Sequence, residues 1–336
     1  MNKFPSRCLW STTASASIVA LSLACAPIWA QTSASPSAAW PNKPITIVVP
    51  YPAGTGFDSI IRPVAAAMQK KLGQKVNVDF RPGANGSIAT GAVIRSEPDG
   101  NTVIMQSLGP VVLNKLLYKQ LPYDPQKDLV PVAKIGEFPL VLIVNSQVPA
   151  NNLQELVAYA KANPGKLNQS NTGIGSQAHL TALLLERVAG ITLNIVPYGT
   201  SSRLTDLLSG RTDLVTETPT QYLPHIASGK LRALAVLGPK RADFLPNVPT
   251  SAEAGFPGVE SEGWAALFGP RGIPEERLHL LNQVVNDYLK SDEAREHLAR
   301  LGLVPSPMTP GQLGDLVTRE FSIWTPLIKE RNISLQ

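Results

Sequence analysis

Ile45-Thr46-Ile47-Val48-Val49-Pro50-Tyr51-Pro52-Ala53-Gly54-Thr55-Gly56-Phe57-Asp58 is the stretch on which the reading of the fold turns. Its first five residues are apolar or β-branched without polar alternation, as in a strand buried on both faces, and Pro50 ends it. Beyond the glycines, Ile60, Ile61, Val64, Ala65, Met68 and Leu72 recur at helical spacing. This predicts a helix over Asp58 to Leu72 with Gly73 as its left-handed stop. Pro63 has to sit in the first turn of that helix or kink it. A buried strand, a Gly-rich turn and a helix make the repeating unit of a parallel α/β sheet.

The unit recurs outward from there. Val76 to Phe80 and Thr102 to Met105 read as strands around a short helix over Gly86 to Arg95. A second series begins at Leu140 to Val144. It continues with helices over Leu153 to Ala162, His179 to Val188, Arg203 to Leu208 and Pro224 to Ser228. Strands alternate with them at Asn194 to Val196, Leu214 to Thr216 and Leu231 to Leu237. Amphipathic helices over Glu275 to Leu289, Asp292 to Leu301 and Pro310 to Ile328 close the chain. Two series imply an α/β protein with two mostly parallel sheets flanked by helices. The crossings between them fall near Leu140 to Asn145 and Glu260 to Leu267, which makes the first lobe discontinuous. The expected limits are a signal at 1–30, a Ser/Ala/Pro linker at 31–41, one lobe at 42–142 with 262–336, and the other at 143–261.

Lys3 and Arg7 precede an apolar or small-residue run over Ala14 to Ala24, and Ala30 offers a cleavage point. That run is far short of the roughly 20 residues a spanning helix needs. Cys25 admits a lipoprotein reading as an alternative, although Ser22-Leu23-Ala24 lacks the usual Leu three residues before it. Cys8 and Cys25 are the only cysteines and both lie inside the expected signal, so disulfide scaffolds, thiol catalysis and Cys-zinc sites are excluded from the rest. The formal net charge is +5, and the cations are scattered among acids without a run of five or six. That distribution gives nucleic acid or a membrane surface nothing to bind.

The Pro50 to Asp58 loop lies at the carboxyl end of a buried strand, where open α/β sheets bind ligands. Its glycines expose backbone N–H groups and the helix start adds about half a positive charge. An anion suits Tyr51, Pro52, Ala53, Gly54, Thr55 and Gly56, with Asp58 as the helix cap; Ser107, beyond the third strand, is grouped with them. Ser170-Asn171-Thr172-Gly173-Ile174-Gly175-Ser176-Gln177 repeats the design before a second helix. Thr172, Gly173, Gly175 and Ser176 would face the same ligand, and bulky side chains at Gly54 or Gly175 would fill its space. Neither loop contains Lys or Arg, so backbone N–H groups, hydroxyls and water would carry recognition.

The remaining candidates have two readings each. His179 hydrogen-bonds a ligand or serves the structure. Glu217 takes a ligand amine or hydroxyl, or pairs with a cation. Tyr198 and Thr200 end a strand and could reach the cleft. Trp264 and Phe268 read as core or hinge packing. Gly173 to Ala178 fits a loose dinucleotide pattern, but Lys166 to Ser170 makes a poor buried strand and no acid follows at the required distance. The widely spaced histidines form no metal motif, and no nucleophile elbow is present. No catalytic group, cofactor or metal is therefore expected.

Further fragments join these loops: Arg81-Pro82-Gly83-Ala84-Asn85-Gly86, Glu97-Pro98-Asp99-Gly100, Val196-Pro197-Tyr198, Pro224 to Val236, and Pro249-Thr250-Ser251-Ala252-Glu253-Ala254-Gly255. In this order the chain resembles the tripartite tricarboxylate transporter substrate-binding proteins, also called Bug receptors. The resemblance implies a two-lobed, type II-like periplasmic binding fold that closes on a small carboxylate. The loops matching Pro52 to Asp58 and Thr172 to Ser176 would hold it, partly through water. It also implies delivery of the ligand to the large and small subunits of a membrane permease, and the receptor itself is expected to be a monomer. Two departures stand out: Thr55 interrupts the family's consecutive glycines, and Gly199-Thr200 replace the Lys or Arg that often follows the tyrosine. The missing cation favours a mono- or dicarboxylate over a tricarboxylate. A ligand-presenting sensory partner and a periplasmic enzyme are the alternative readings.

Overall fold

The computed structural model describes residues 40–198 and 203–335. The expected signal, almost all of the linker, and Thr200 lie outside the described residues. Strands are β1 (Ile45–Val49), β2 (Val76–Phe80), β3 (Thr102–Ser107), β4 (Leu129–Pro139), β5 (Val141–Asn145), β6 (Asn168–Asn171), β7 (Asn194–Pro197), β8 (Leu214–Glu217), β9 (Leu231–Val236), β10 (Glu262–Pro270) and β11 (Val304–Pro305). Helices are α1 (Gly56–Leu72), α2 (Ser87–Ile94), α3 (Asn114–Leu117), α4 (Pro125–Asp128), α5 (Leu153–Ala162), α6 (Gln177–Ala189), α7 (Arg203–Leu208), α8 (Leu223–Ala227), α9 (Glu275–Leu289), α10 (Asp292–Arg300) and α11 (Pro310–Glu330). Among the described residues no helix is long and apolar enough to cross a membrane.

Two sheets result, ordered β11-β4-β10-β3-β1-β2 and β7-β6-β8-β5-β9. β1 is parallel to both neighbours, with Ile47 opposite Val78 and Val103. It is buried on both faces. Ile45, Ile47 and Val49 meet Val64 and Met68 of α1 and Leu281 and Val285 of α9. Val48, pointing the other way, joins Val93, Trp264, Phe268 and Trp324. Trp264 and Phe268 are thus core residues.

The α/β class with two flanked sheets is as the sequence suggests, but the sheets are mixed rather than mostly parallel. β10 runs antiparallel between β3 and β4, and β5 runs antiparallel between β8 and β9. The cause is connectivity: these strands carry the chain from sheet to sheet instead of returning over a helix. The chain leaves the first sheet at Pro139 and enters the second at Val141, with Leu140 alone between them. On the way back, the Leu237 amide donates to the Leu140 carbonyl (2.8 Å) and the Ser261 amide to the Leu237 carbonyl (2.7 Å). The two passages therefore run side by side.

A second correction concerns β6. Lys166 to Ser170 looks too polar for a buried strand, yet Gln169, Ser170 and Asn171 are fully buried. Their polar groups are matched: Asn171 Nδ2 donates to Gln169 Oε1 (3.2 Å), and Gln169 Nε2 to Thr216 Oγ1 on β8 (3.4 Å). Buried polar groups are tolerated when paired.

Pro63 lies well inside α1, because the helix starts at Gly56. Without an N–H it leaves the Ser59 carbonyl unbonded within the helix. His297 of α10 supplies the donor, with Nε2 2.9 Å from that oxygen. Since a carbonyl only accepts, the Nε2 position carries the proton. His297→Ala should cost about 1 kcal/mol, read as a lower urea midpoint at unchanged slope. Adding Pro63→Ala, which returns an N–H to Ser59, should make the His297→Ala loss smaller; equal losses in both backgrounds would contradict this account.

Where β10 begins, burial first and the Glu137 carboxylate second push the Glu262 carboxyl up to about 7, while Lys134 and Arg319 act the other way. The unfolded chain ionises this group nearer pH 4.3, so the protein loses stability as pH rises from there through 7. Glu262→Gln should be about neutral near pH 4.5 and more stable than the parent by about 1–2 kcal/mol at pH 8, checked by urea midpoints at both pH values.

Candidate functional site

The loop after β1 is folded by its own side chains. The Tyr51 ring stacks on Phe57 (centroids 3.9 Å apart, 8° between planes), and its hydroxyl lies 2.6 Å from Ser107 Oγ at the end of β3. Burial pushes the Tyr51 phenol up to about 12, so it stays a neutral hydrogen-bonding group. Thr55 is extended at the N-cap of α1, and its Oγ1 donates to the Pro52 carbonyl (2.9 Å) instead of capping. Asp58 is not the cap. It sits in the first turn and reaches back, accepting the Gly54 amide at 2.8 Å and pairing with Arg62 Nε at 2.5 Å. The Gly54 N–H foremost, then Arg62, hold its carboxyl below the usual carboxylate range. Asp58 thus occupies the Gly54 donor itself, and what the turn offers an anion is the orphan amides at the helix start. At Gly54 (φ +79°) a Cβ would meet nothing within 4 Å.

The loop after β6 is organised differently. The Gly173 amide donates to Asn171 Oδ1 (2.9 Å), and Ser176 caps α6 by accepting the His179 amide (3.2 Å). The Gly175 amide donates to His179 Nδ1 (3.3 Å). His179 is therefore neutral, with its proton on Nε2, and burial holds its pKa below the ordinary value. That contact assigns His179 a loop-holding role. A Cβ at Gly175 would come 2.9 Å from Leu117 Cδ1 and 3.2 Å from Leu335 Cδ1. The positive φ (+78°) favours glycine here, and the mobile ends of two leucines, not the expected ligand, border its Cβ position.

Between α6, α7 and the end of β8 lies a cavity of about 330 Å³, lined by Thr172, Gln177, Arg203, Thr216, Glu217 and Gln221 among others. It sits at the carboxyl ends of the parallel strands β6 and β8, beside the start of α6. Thr216 Oγ1 donates to the Ala178 carbonyl (3.1 Å), joining strand end to helix start. Glu217 accepts from Arg203 Nε (2.8 Å) and from the Tyr222 hydroxyl (3.0 Å).

Of the residues singled out from the sequence, Thr172 and Glu217 line this cavity, while Gly173, Gly175, Ser176 and His179 shape the loop at its edge. Tyr51 to Asp58 and Ser107 form a second cluster and line no part of it. The Tyr198 amide donates to the Asn171 carbonyl (2.9 Å), and its phenol, raised by burial and by a bond with Asp206, faces that carboxylate. Sequence reasoning missed Arg203, Gln177, Thr216 and Tyr222. Arg203 had a signal: it opens the helix after the Asn194 to Val196 strand, at the same topological position as both glycine loops.

The profile described as "Tripartite tricarboxylate transporter family receptor" matches residues 60–333. This chain belongs to that receptor family. Protein BugT of Bordetella pertussis is 36% identical over 321 residues, covering 95% of this chain and 98% of its own. An R. palustris structure with adipate is 33% identical, covers 88% of this chain and 99% of its own, and superposes with a TM-score of 0.72. A solute-binding protein from Polaromonas without ligand is 28% identical, covers 87% of this chain and 99% of its own, and reaches 0.78. Membership of the receptor family gives the glycine loops and the α6 cavity a common context.

Substitution separates the two glycines. Gly175→Ala should destabilise by about 2–3 kcal/mol, combining strained backbone with overpacking. Gly54→Ala should cost only the backbone part, about 1 kcal/mol. Gly175→Ala should cost less in a Leu117→Ala background than in the parent; denaturation midpoints of Gly54→Ala, Gly175→Ala, Leu117→Ala and the Gly175/Leu117 double variant decide it.

Proposed function

We propose that this receptor captures a small organic mono- or dicarboxylate between two lobes in the periplasm and delivers it to a tripartite tricarboxylate-type permease. The cavity at the carboxyl ends of β6 and β8 carries the reading: a helix start, hydroxyls, an amide and one guanidinium converge there. The relative with adipate supports the ligand class. Strand membership supports the lobe limits to within two residues, since β1 to β4, β10 and β11 fall within 42–142 and 262–336 and β6 to β9 within 143–261, while β5 (Val141–Asn145) begins just before the expected boundary.

Tyr51 to Asp58 stand outside the cavity, so a ligand shared by both loops requires the lobes to close on it. Closure would then bring the α1 start towards the α6 start, so that amides from both sides meet one carboxylate. The sequence pattern from Lys3 to Ala30 supports export, and the receptor would act as a monomer.

A linear carboxylate such as adipate should raise the melting temperature of the protein by several degrees, as stabilisation at saturating ligand requires, while the matching diamide leaves it unchanged. Equal shifts for acid and amide would remove the carboxylate reading.

A further inference from the structure

The pair Arg203–Glu217 is built more carefully than a cavity wall requires. Both side chains are nearly buried, at 15% and 10% exposure. Arg203 Nε donates to Glu217 Oε1 (2.8 Å), Arg203 Nη2 approaches Oε2 (3.4 Å), and the Tyr222 hydroxyl donates to Oε2 (3.0 Å). Tyr222 is itself fully buried, and burial followed by the Glu217 charge raises its phenol above the ordinary value. Its proton therefore stays available to Glu217. Burying two charges is costly unless their geometry is well satisfied, so the pair is weak evidence for a purely stabilising role.

We infer that Arg203 determines ligand specificity by pairing with the second carboxylate of a dicarboxylate, and that Glu217 and Tyr222 position it. This rests on the carboxylate-receptor reading and names the ligand class within it. Both Glu217 oxygens are engaged by side chains of the protein, so Glu217 acts on Arg203 rather than offering itself to a ligand amine. A guanidinium only donates and is planar, which suits it to the fork of a carboxylate. The first carboxylate belongs to the amides at the helix starts. The second meets Arg203 across a cavity whose size suits a short chain. A third carboxylate would meet the Glu217 charge, which disfavours tricarboxylates. The cation absent after Tyr198 is thereby replaced from the opening residue of α7.

Calorimetric titration of the whole protein with linear dicarboxylates of four to eight carbons and the monocarboxylates of equal length tests this. The parent should bind a dicarboxylate at least about tenfold tighter than its monocarboxylate partner, and Arg203→Gln should bring that ratio near one while changing monocarboxylate affinity less than about threefold. Glu217→Gln, which loosens the guanidinium, should reduce the ratio only in part. Because Arg203→Gln leaves the Glu217 carboxylate without its counter-ion, the paired variant R203Q/E217Q, which replaces both charges, is measured beside it and should show the same loss of ratio. A ratio unchanged in the folded variants, or affinities for mono- and dicarboxylates that fall together, overturns the role of Arg203 and leaves the carboxylate reading standing. Binding of no carboxylate by the parent overturns both.

Discussion

The antiparallel pairing of β10 with β4 is the constraint on which the rest of the molecule depends. β10 is a strand from late in the chain inserted beside β3, and Glu262 to Pro270 follow β4 from Pro139 back to Leu129. That register places Pro139 and Glu262 together where the chain leaves the first sheet. The neighbouring carbonyl of Leu140 and amide of Leu237 then hold the two passages as a pair. A slip of one residue in β10 would turn Trp264 and Phe268 out of the core and move both passages.

From that frame the binding chemistry follows by position. Parallel strands β1 and β6 each end in a glycine turn that opens a helix, and in each turn a side chain from the first turn of the helix folds back onto a glycine amide. The partners differ: Asp58 accepts from Gly54, and neutral His179 accepts from Gly175. Each contact rigidifies its turn and consumes one N–H. The remaining helix-start amides are held in place, so the proposed carboxylate would not have to order the loop.

Much of the fold was legible because local pattern and final structure agree. The helices over Leu153 to Ala162, Arg203 to Leu208 and Glu275 to Leu289 have the bounds their spacing predicts, and β1 and β2 likewise. β4, β6 and β11 were not legible. β4 carries a buried Lys134 paired with a half-buried Glu137, and β6 is polar, so neither shows the apolar signature of a core strand. The site was legible by loop and illegible by contact. Asp58, His179 and Gly175 stand out in the sequence, but their partners are set by folding.

Sequence alone determined the α/β class, the two series of strands and the glycine turns at their carboxyl ends, because hydrophobic period and turn chemistry act over a few residues; the resemblance to the receptor family was carried separately, by motif fragments in a fixed order. Only the tertiary structure decided that Arg203 and Glu217, separated along the chain, share a cavity with Thr172, that Leu117 and Leu335 border the Cβ position of Gly175, and that His297 donates to the Ser59 carbonyl left by Pro63. Those contacts join distant segments, and whether a polar group meets a ligand or another side chain depends on the packing that brings the segments together.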